Sequence, residues 1–220
     1  MGGADFQVPR AEPALRRYTS LLDLTRIFDA DTNALVLERE PLSAISAYLA
    51  LPEVQRGLGT GLRRKLGPDE SLPATVLPDA PGREALLVDI TWQAELMRDL
   101  LDCESVGLRL EVLRKPMCPR FHVDRVGIRM LCSYRGSGTE YLDGAQANRG
   151  RLGQAGGGTD EGSGLIVNAE GVVQVPLHAI TLLKGGAWPG NAAHGAIHRS
   201  PAVIEQDMPR VVLALDAIWA

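Results

Sequence analysis

His122, Asp124 and His198 are the side chains of this chain whose types and spacing could do chemistry together. Residues i and i+2 of an extended segment project to the same side, so a His-x-Asp pair at a strand margin can aim an imidazole and a carboxylate at one point. A second imidazole lies far downstream, just ahead of a β-rich C-terminal run. Two histidines and one carboxylate are the ligands of a facial triad, which holds one face of a ferrous ion and leaves the other open for substrate and dioxygen. The tripeptide alone is a frequent surface hydrogen-bonding pattern; what surrounds it gives it weight.

The other polar candidates carry blander readings beside their functional ones. His178 follows Pro176 at a turn and reads as a polar turn residue. His194 stands four residues before His198, an interval that aligns ligands on a helix but not on a strand; glycines around it place it in a loop. Cys118 is close to His122 and could be a ligand or an oxidisable thiol, although a free cysteine is more often a small buried hydrophobe. Trp188 and Tyr134 fit a pocket wall or a core equally well. Arg199 fits a substrate contact or a structural ion pair.

Elements able to position the triad come mostly from the second half. Leu108, Leu110 and Val112 alternate with Arg109 and Glu111, as a half-buried strand does. Val126 to Tyr134 continues in that period, and further strands are expected at 172–175, 179–184, 195–198 and 210–218, each bounded by Gly, Pro or Asn. The first half reads as mostly helical. One strand is expected at 33–39, then a helix from Pro41–Ser43 with Ile45, Tyr48 and Leu49 on one face. A helix over Pro52 to Leu66 carries Val54, Leu58 and Leu62, weakened by three glycines. A proline-rich connection at 68–82 leads to a third helix from about Arg83 to Cys103 with an apolar stripe. Arg149 to Gly164 is dense in glycine, with almost no apolar content, and reads as a passive surface insertion or as a lid.

The chain has 220 residues, 45% of them hydrophobic, enough for one sizeable core, and residues 1–220 read as one domain. A net charge of −4 gives no electrostatic reason to expect nucleic acid or an anionic membrane as partner. No apolar run approaches the roughly 20 residues that span a bilayer. The first residues lack the basic-then-apolar pattern of a secretory signal. The three cysteines, Cys103, Cys118 and Cys132, show no C-x-x-C spacing. Reduced thiols in a cytoplasmic protein are the expectation.

The order of these features carries a resemblance. His122-Val123-Asp124 is followed by an apolar strand and Gly136-Ser137-Gly138-Thr139-Glu140. Then come Val175-Pro176-Leu177-His178 with a strand ending in Lys184-Gly185, His198-Arg199, and Arg210-Val211-Val212 on the last strand. From Val106 to Ala220 the chain resembles the Fe(II)- and 2-oxoglutarate-dependent dioxygenase superfamily, and also a bacterial family defined only as a domain of unknown function. The resemblance implies an α+β fold, mainly β in its C-terminal half. That half would be a double-stranded β-helix, a jelly-roll or cupin-like barrel (106–220), supported by an N-terminal helical elaboration (1–105). It implies Fe(II) held by His122, Asp124 and His198, and 2-oxoglutarate as co-substrate with its distal carboxylate on Arg210. Lys184 is a further candidate for that carboxylate.

Two departures stand out. Many superfamily members carry Arg-x-Ser on the final strand, where this chain has Val212, and the interval from His198 to Arg210 is slightly longer than usual. Two alternatives to a hydroxylase-type oxygenase therefore stay open: a cupin-like metalloprotein that does not use 2-oxoglutarate, and a non-catalytic metal-binding or sensing module. Arg210 separates the first from the oxygenase, because only 2-oxoglutarate requires a cation at that depth. The substrate, a small molecule or another species, and the oligomeric state have no signature.

Overall fold

The computed structural model describes residues 14–153, 159–201 and 208–219. Among them are the strands β1 (Ala14–Tyr18), β2 (Thr32–Leu37), β3 (Gly61–Leu66), β4 (Ser105–Leu113), β5 (Ile128–Arg135), β6 (Glu140–Leu142), β7 (Val172–Gln174), β8 (Ile180–Lys184), β9 (Ile197–Arg199) and β10 (Arg210–Ile218). Three α-helices accompany them: α1 (Ser43–Ala50), α2 (Pro52–Leu58) and α3 (Arg83–Leu101). The larger sheet has the order β1-β2-β8-β5-β10-β4-β3, the smaller β7-β6-β9. The architecture is mixed α and β, built on two open sheets and not on a closed barrel.

Side-chain alternation divides the larger sheet into two faces. Val211, Leu213 and Leu215 of β10, with Leu108 and Leu110 of β4 and Met130 and Cys132 of β5, join one core with the helices. In α3, Leu86, Ile90, Ala94, Met97 and Leu101 recur every three or four residues, and all are buried in that core. This stripe lays the helix along the sheet. The helix stops at Asp102, whose backbone is left-handed at φ 47°. The opposite parity, Arg210, Val212 and Ala214 of β10 with Arg109 and Glu111 of β4, lines a cavity on the other face.

The smaller sheet packs over that second face. Tyr141 of β6 joins Ala34, Leu183 and Ala196 in a small buried cluster, and its hydroxyl donates to Asn33 Oδ1 at 2.8 Å. Directly opposed residues of antiparallel strands share a face. The pairing Tyr141↔His198 therefore turns His198 toward the larger sheet. Leu142 and Ile197 point the other way and bury Phe121 and Leu165.

The expected strands of the second half are present within one or two residues. The reading of the first half as mostly helical needs correction among the described residues, because β1, β2 and β3 belong to the larger sheet. The helix expected over Pro52 to Leu66 ends at Leu58. Gly59 (φ 57°) and Gly61 (φ 104°) turn the chain, and Gly61 lies against the Leu110 carbonyl where no side chain fits. Gly61–Leu66 then pairs antiparallel with β4 from Glu111 to Val106.

Candidate metal centre

His122 lies in the connection between β4 and β5, anchored by Phe121, which is buried against Leu142, Leu165 and Ile197. A lone antiparallel bridge joins it to β9: His122 N–H donates to the His198 carbonyl and His198 N–H to the His122 carbonyl, both at 3.0 Å. The two rings face each other with centroids 4.5 Å apart. Asp124, two residues on, is fixed at its backbone, where its carbonyl accepts from Gly186 N–H at 2.8 Å. Ligand-type atoms of His122, Asp124 and His198 all lie within 4.8 Å of one another. The structure thus brings together the three residues that the sequence singled out.

The protonation pattern of the rings follows from their hydrogen bonds. His122 Nδ1 lies 2.9 Å from the Arg120 carbonyl, and His198 Nδ1 lies 3.1 Å from the Ala196 carbonyl. A carbonyl can only accept, so each Nδ1 carries the proton and a neutral ring presents its lone pair at Nε2. Those Nε2 atoms face the Asp124 carboxylate, at 3.6 Å from Oδ1 for His122 and 3.3 Å from Oδ2 for His198. Two nitrogen lone pairs and a carboxylate converge on one point, an arrangement that calls for a positive charge between them. Backbone carbonyls holding the far ring nitrogen are also the usual outer support of metal-ligating histidines. The donor set, two imidazole nitrogens and one carboxylate without thiolate, fits ferrous iron.

In the metal-free protein a proton on an imidazole Nε2 takes that place, and a ring so protonated donates to Asp124. Burial alone would raise the Asp124 pKa. Hydrogen bonds from His122 and His198 and the charges of His198 and Arg129 outweigh it and hold the carboxyl far below the usual carboxylate range. The hydrogen bond to Asp124 pushes His122 above its ordinary value, against its own burial.

A cleft of about 510 Å³, open mouth included, runs from the histidines along the inner face of β4 and β10 to Arg210. Arg210 is 3% exposed. Its Nε donates to the Ser137 carbonyl at 2.9 Å, and Nη2 donates to Ser133 Oγ at 3.0 Å and Thr139 Oγ1 at 2.8 Å. Among the described residues no carboxylate pairs with it; Asp216 is engaged by Arg109 and Arg129 instead, and Glu205 lies outside the described residues. Burial pushes the Arg210 pKa down to about 10.

Lys184 is not brought to this cleft. It shares the parity of Ile180 and Leu182, which face the helix side of the sheet. Its Nζ donates to the Asp29 carbonyl at 2.9 Å and sits 5.2 Å from the Trp188 ring centroid. His178 and Tyr134 are buried on that same side, their rings 6.1 Å apart. His194 is not part of the ligand cluster, and its carbonyl accepts from Asn33 Nδ2 at 3.0 Å. Cys118 is exposed at the cleft and also stands outside the cluster. Arg199 lines the cleft, but its guanidinium is taken up by Glu140, Asp160 and Glu161, so the ion-pair reading holds for it.

Sequence reasoning missed Arg129, Asp160, Ser133 and Thr139. Ser133, Thr139 and Asp160 reach the site through partners remote in sequence, and Arg129, which meets Asp124 five residues away, is oriented by Asp216 far along the chain, so no local motif points to them. The lid reading of Arg149 to Gly164 falls in part on residues 154–158, which lie outside the described residues.

A family model matches residues 19–216. The chain belongs to that family, described as "Protein of unknown function (DUF1826)". No curated protein matches it. Among solved structures it is similar to the dioxygenase for auxin oxidation of rice, at 17% identity over 94% of this chain and 83% of that one, with a TM-score of 0.52. The dioxygenase for auxin oxidation 1 of Arabidopsis thaliana, in binary complex with 2-oxoglutarate, matches at 12% identity over 94% and 93%, with a TM-score of 0.49. A full-length Neurospora crassa protein, in complex with alpha-KG and 5-formyluracil, matches at 12% identity over 93% and 83%, with a TM-score of 0.44. At these identities the rice enzyme shows a shared fold. Among the described residues no helix is long and apolar enough to cross a membrane.

Proposed function

We propose that this protein is an Fe(II)- and 2-oxoglutarate-dependent oxygenase of the hydroxylase type, acting on a small molecule in the cytoplasm. The observation that carries the reading is one cleft with two complementary ends: His122 and His198, which converge with Asp124, at one, and at the other a buried guanidinium with no carboxylate partner among the described residues. The fold shared with a dioxygenase supports it. On this reading the two sheets are the walls of a double-stranded β-helix, and residues 1–220 act as one domain, since β1 to β3 complete the same sheet as β10.

His122 and His198 would hold the metal through Nε2, and Asp124 through its carboxylate. Bound ferrous iron supplies the dioxygen and redox chemistry that no side chain possesses. The chain's own residues do the rest. The carbonyls of Arg120 and Ala196 keep the Nδ1 protons in place and the Nε2 lone pairs available. Arg210 Nη1, the nitrogen not taken up by Ser137, Ser133 or Thr139, would donate to the distal carboxylate of 2-oxoglutarate as a charge-assisted hydrogen bond. Leu131, Val212 and Ala214 wall the cleft with apolar surface that excludes water.

The missing serine of the final strand has a substitute in this reading. Val212 is paired in register with Ser133 of β5, and the Ser133 and Thr139 hydroxyls stand at the Arg210 guanidinium. The hydroxyl that the Arg-x-Ser pattern would supply is offered from the neighbouring strand. This favours 2-oxoglutarate over the cupin-like alternative, which has no use for a buried cation there.

Anaerobic titration of the purified protein with Fe(II) and then 2-oxoglutarate tests the reading. The expected result is a visible charge-transfer band that saturates with one equivalent of each. Metal binding without the band on adding 2-oxoglutarate would leave the cupin-like metalloprotein as the better account.

A further inference from the structure

The bridge that carries His122 and His198 is isolated: its two hydrogen bonds are joined only by one from Ser200 N–H to the Cys118 carbonyl at 2.9 Å, with no regular ladder on the His122 side. So short a backbone connection is a weak device for holding two ligands at fixed spacing. A second device spans the same two segments. Asp160 comes from the far end of the glycine-rich stretch, and its side chain is only 3% exposed. Its Oδ2 accepts from the Phe121 N–H at 2.7 Å and from Arg199 Nη1 at 3.2 Å, while Oδ1 accepts from Arg120 Nε at 3.4 Å. Phe121 is the residue before His122, and Arg199 the residue after His198.

The node around this carboxylate is well tied. Arg199 also donates to Glu140 of β6 at 2.6 Å and pairs with Glu161 at 2.9 Å, and it lies 4.2 Å over the Phe121 ring centroid. Ser163 Oγ donates to the Asp160 carbonyl at 2.8 Å, and Leu165 is buried with Phe121 and Ile197. A buried carboxylate is tolerated where donors, cationic ones above all, take up its lone pairs. The donors here belong to the two segments that bear the histidines.

We infer that Asp160 is a positioning residue: its carboxylate clamps the His122 and His198 segments together and so sets the spacing of the two imidazoles. The chemical meaning rests on the metal site proposed above; the clamp itself does not. The end of the glycine-rich stretch is thereby part of the centre and not a passive insertion.

The test uses the full chain with Asp160→Ala and Asp160→Asn, and two readouts. In metal-free protein, amide hydrogen exchange of His122 and His198 should accelerate about 10-fold or more in Asp160→Ala, while the Val211–Leu215 amides keep wild-type rates. Asp160→Asn keeps an acceptor for the Phe121 N–H but loses the charge facing Arg199, and should fall between the two; it also serves if the alanine variant does not fold. In a titration with Co(II), the dissociation constant should rise about 10- to 100-fold in Asp160→Ala, as for loss of other outer supports. Wild-type exchange at His122 and His198, or equal acceleration in every strand, would overturn the inference. If the wild type itself takes up no Co(II), the metal reading fails, and the exchange data alone decide the clamp.

Discussion

Arg129 Nη1 donates at 2.6 Å to Asp124 Oδ2, the same oxygen that His198 Nε2 faces at 3.3 Å. The guanidinium is held in turn by Asp216, whose carboxylate takes Arg129 Nε at 2.6 Å and Nη2 at 3.1 Å and is also paired with Arg109 at 2.9 Å. Charges of alternating sign thus run from Asp124 across β5, β10 and β4. Such a run fixes the Asp124 carboxylate in one orientation and opposes its protonation despite burial.

Arg129→Met should therefore weaken Co(II) or Fe(II) binding about 10- to 100-fold, the usual cost of an outer support. Asp124→Ala, which removes a ligand, should lose more than that. Absorbance titration with Co(II) ranks the three proteins. Tighter binding by Arg129→Met would mean that the neutralising charge of Arg129 outweighs its orienting role.

Lys184→Met offers a clean contrast. The Lys184 ammonium serves the Asp29 carbonyl and the Trp188 ring on the helix side of the sheet. The substitution should leave both the metal titration and the 2-oxoglutarate band unchanged, while lowering the thermal midpoint by a few degrees through loss of a charge-assisted hydrogen bond. A weakened 2-oxoglutarate band in this variant would restore the role that the sequence suggested.

The contrast between Arg210 and Lys184 shows what sequence can say about a site. In β8 both parities are apolar, Ile180 and Leu182 on one face and Leu183 on the other, so nothing in the strand says which face carries the chemistry. The triad was legible because His-x-Asp is local and period two is a property of any strand. β3 was not: Arg63, Arg64 and Lys65 lack an apolar alternation, and the edge strand owes its place to pairing with β4. The partners Arg129, Ser133, Thr139 and Asp160 were invisible for a related reason. They contact Asp216, Arg210 and Phe121 across 39 to 87 residues, and only the fold makes them neighbours.

His178 should give the metal-free protein a distinct acid sensitivity. It is buried with its backbone at φ 65°, and its Nε2 lies 3.1 Å from Ser46 Oγ. Burial, and then the nearby charge of Arg39, hold its pKa below the ordinary value, with Asp89 opposing. The unfolded chain therefore takes up this proton first. The stability contribution is fully present above about pH 6.5 and is lost as pH falls below it, by at most about 1.4 kcal/mol per pH unit. His178→Asn tolerates the left-handed backbone and carries no titratable ring. Urea midpoints at pH 7.5 and 5.5 should fall more steeply in the wild type than in this variant. Equal slopes would place the acid sensitivity elsewhere.

Arg210 should show a conflict between stability and binding. Holding a guanidinium in the sheet core with only hydroxyl and carbonyl partners costs on the order of 3 kcal/mol, the free-energy equivalent of a pKa brought from 12.5 to about 10. Arg210→Met removes that charge and fills similar space, so the metal-free variant should melt at or above the wild-type temperature. The hydroxyls of Ser133 and Thr139, which lose their donor, offset part of the gain. Metal binding should persist, because Arg210 contacts none of His122, Asp124 or His198. Binding of 2-oxoglutarate should fall by about 2–5 kcal/mol, the range for truncating one partner of a buried charge pair. Calorimetric melting together with the anaerobic band titration measures both sides. A variant less stable than the wild type, with 2-oxoglutarate binding intact, would make Arg210 a structural cation and remove the main reason for preferring this co-substrate.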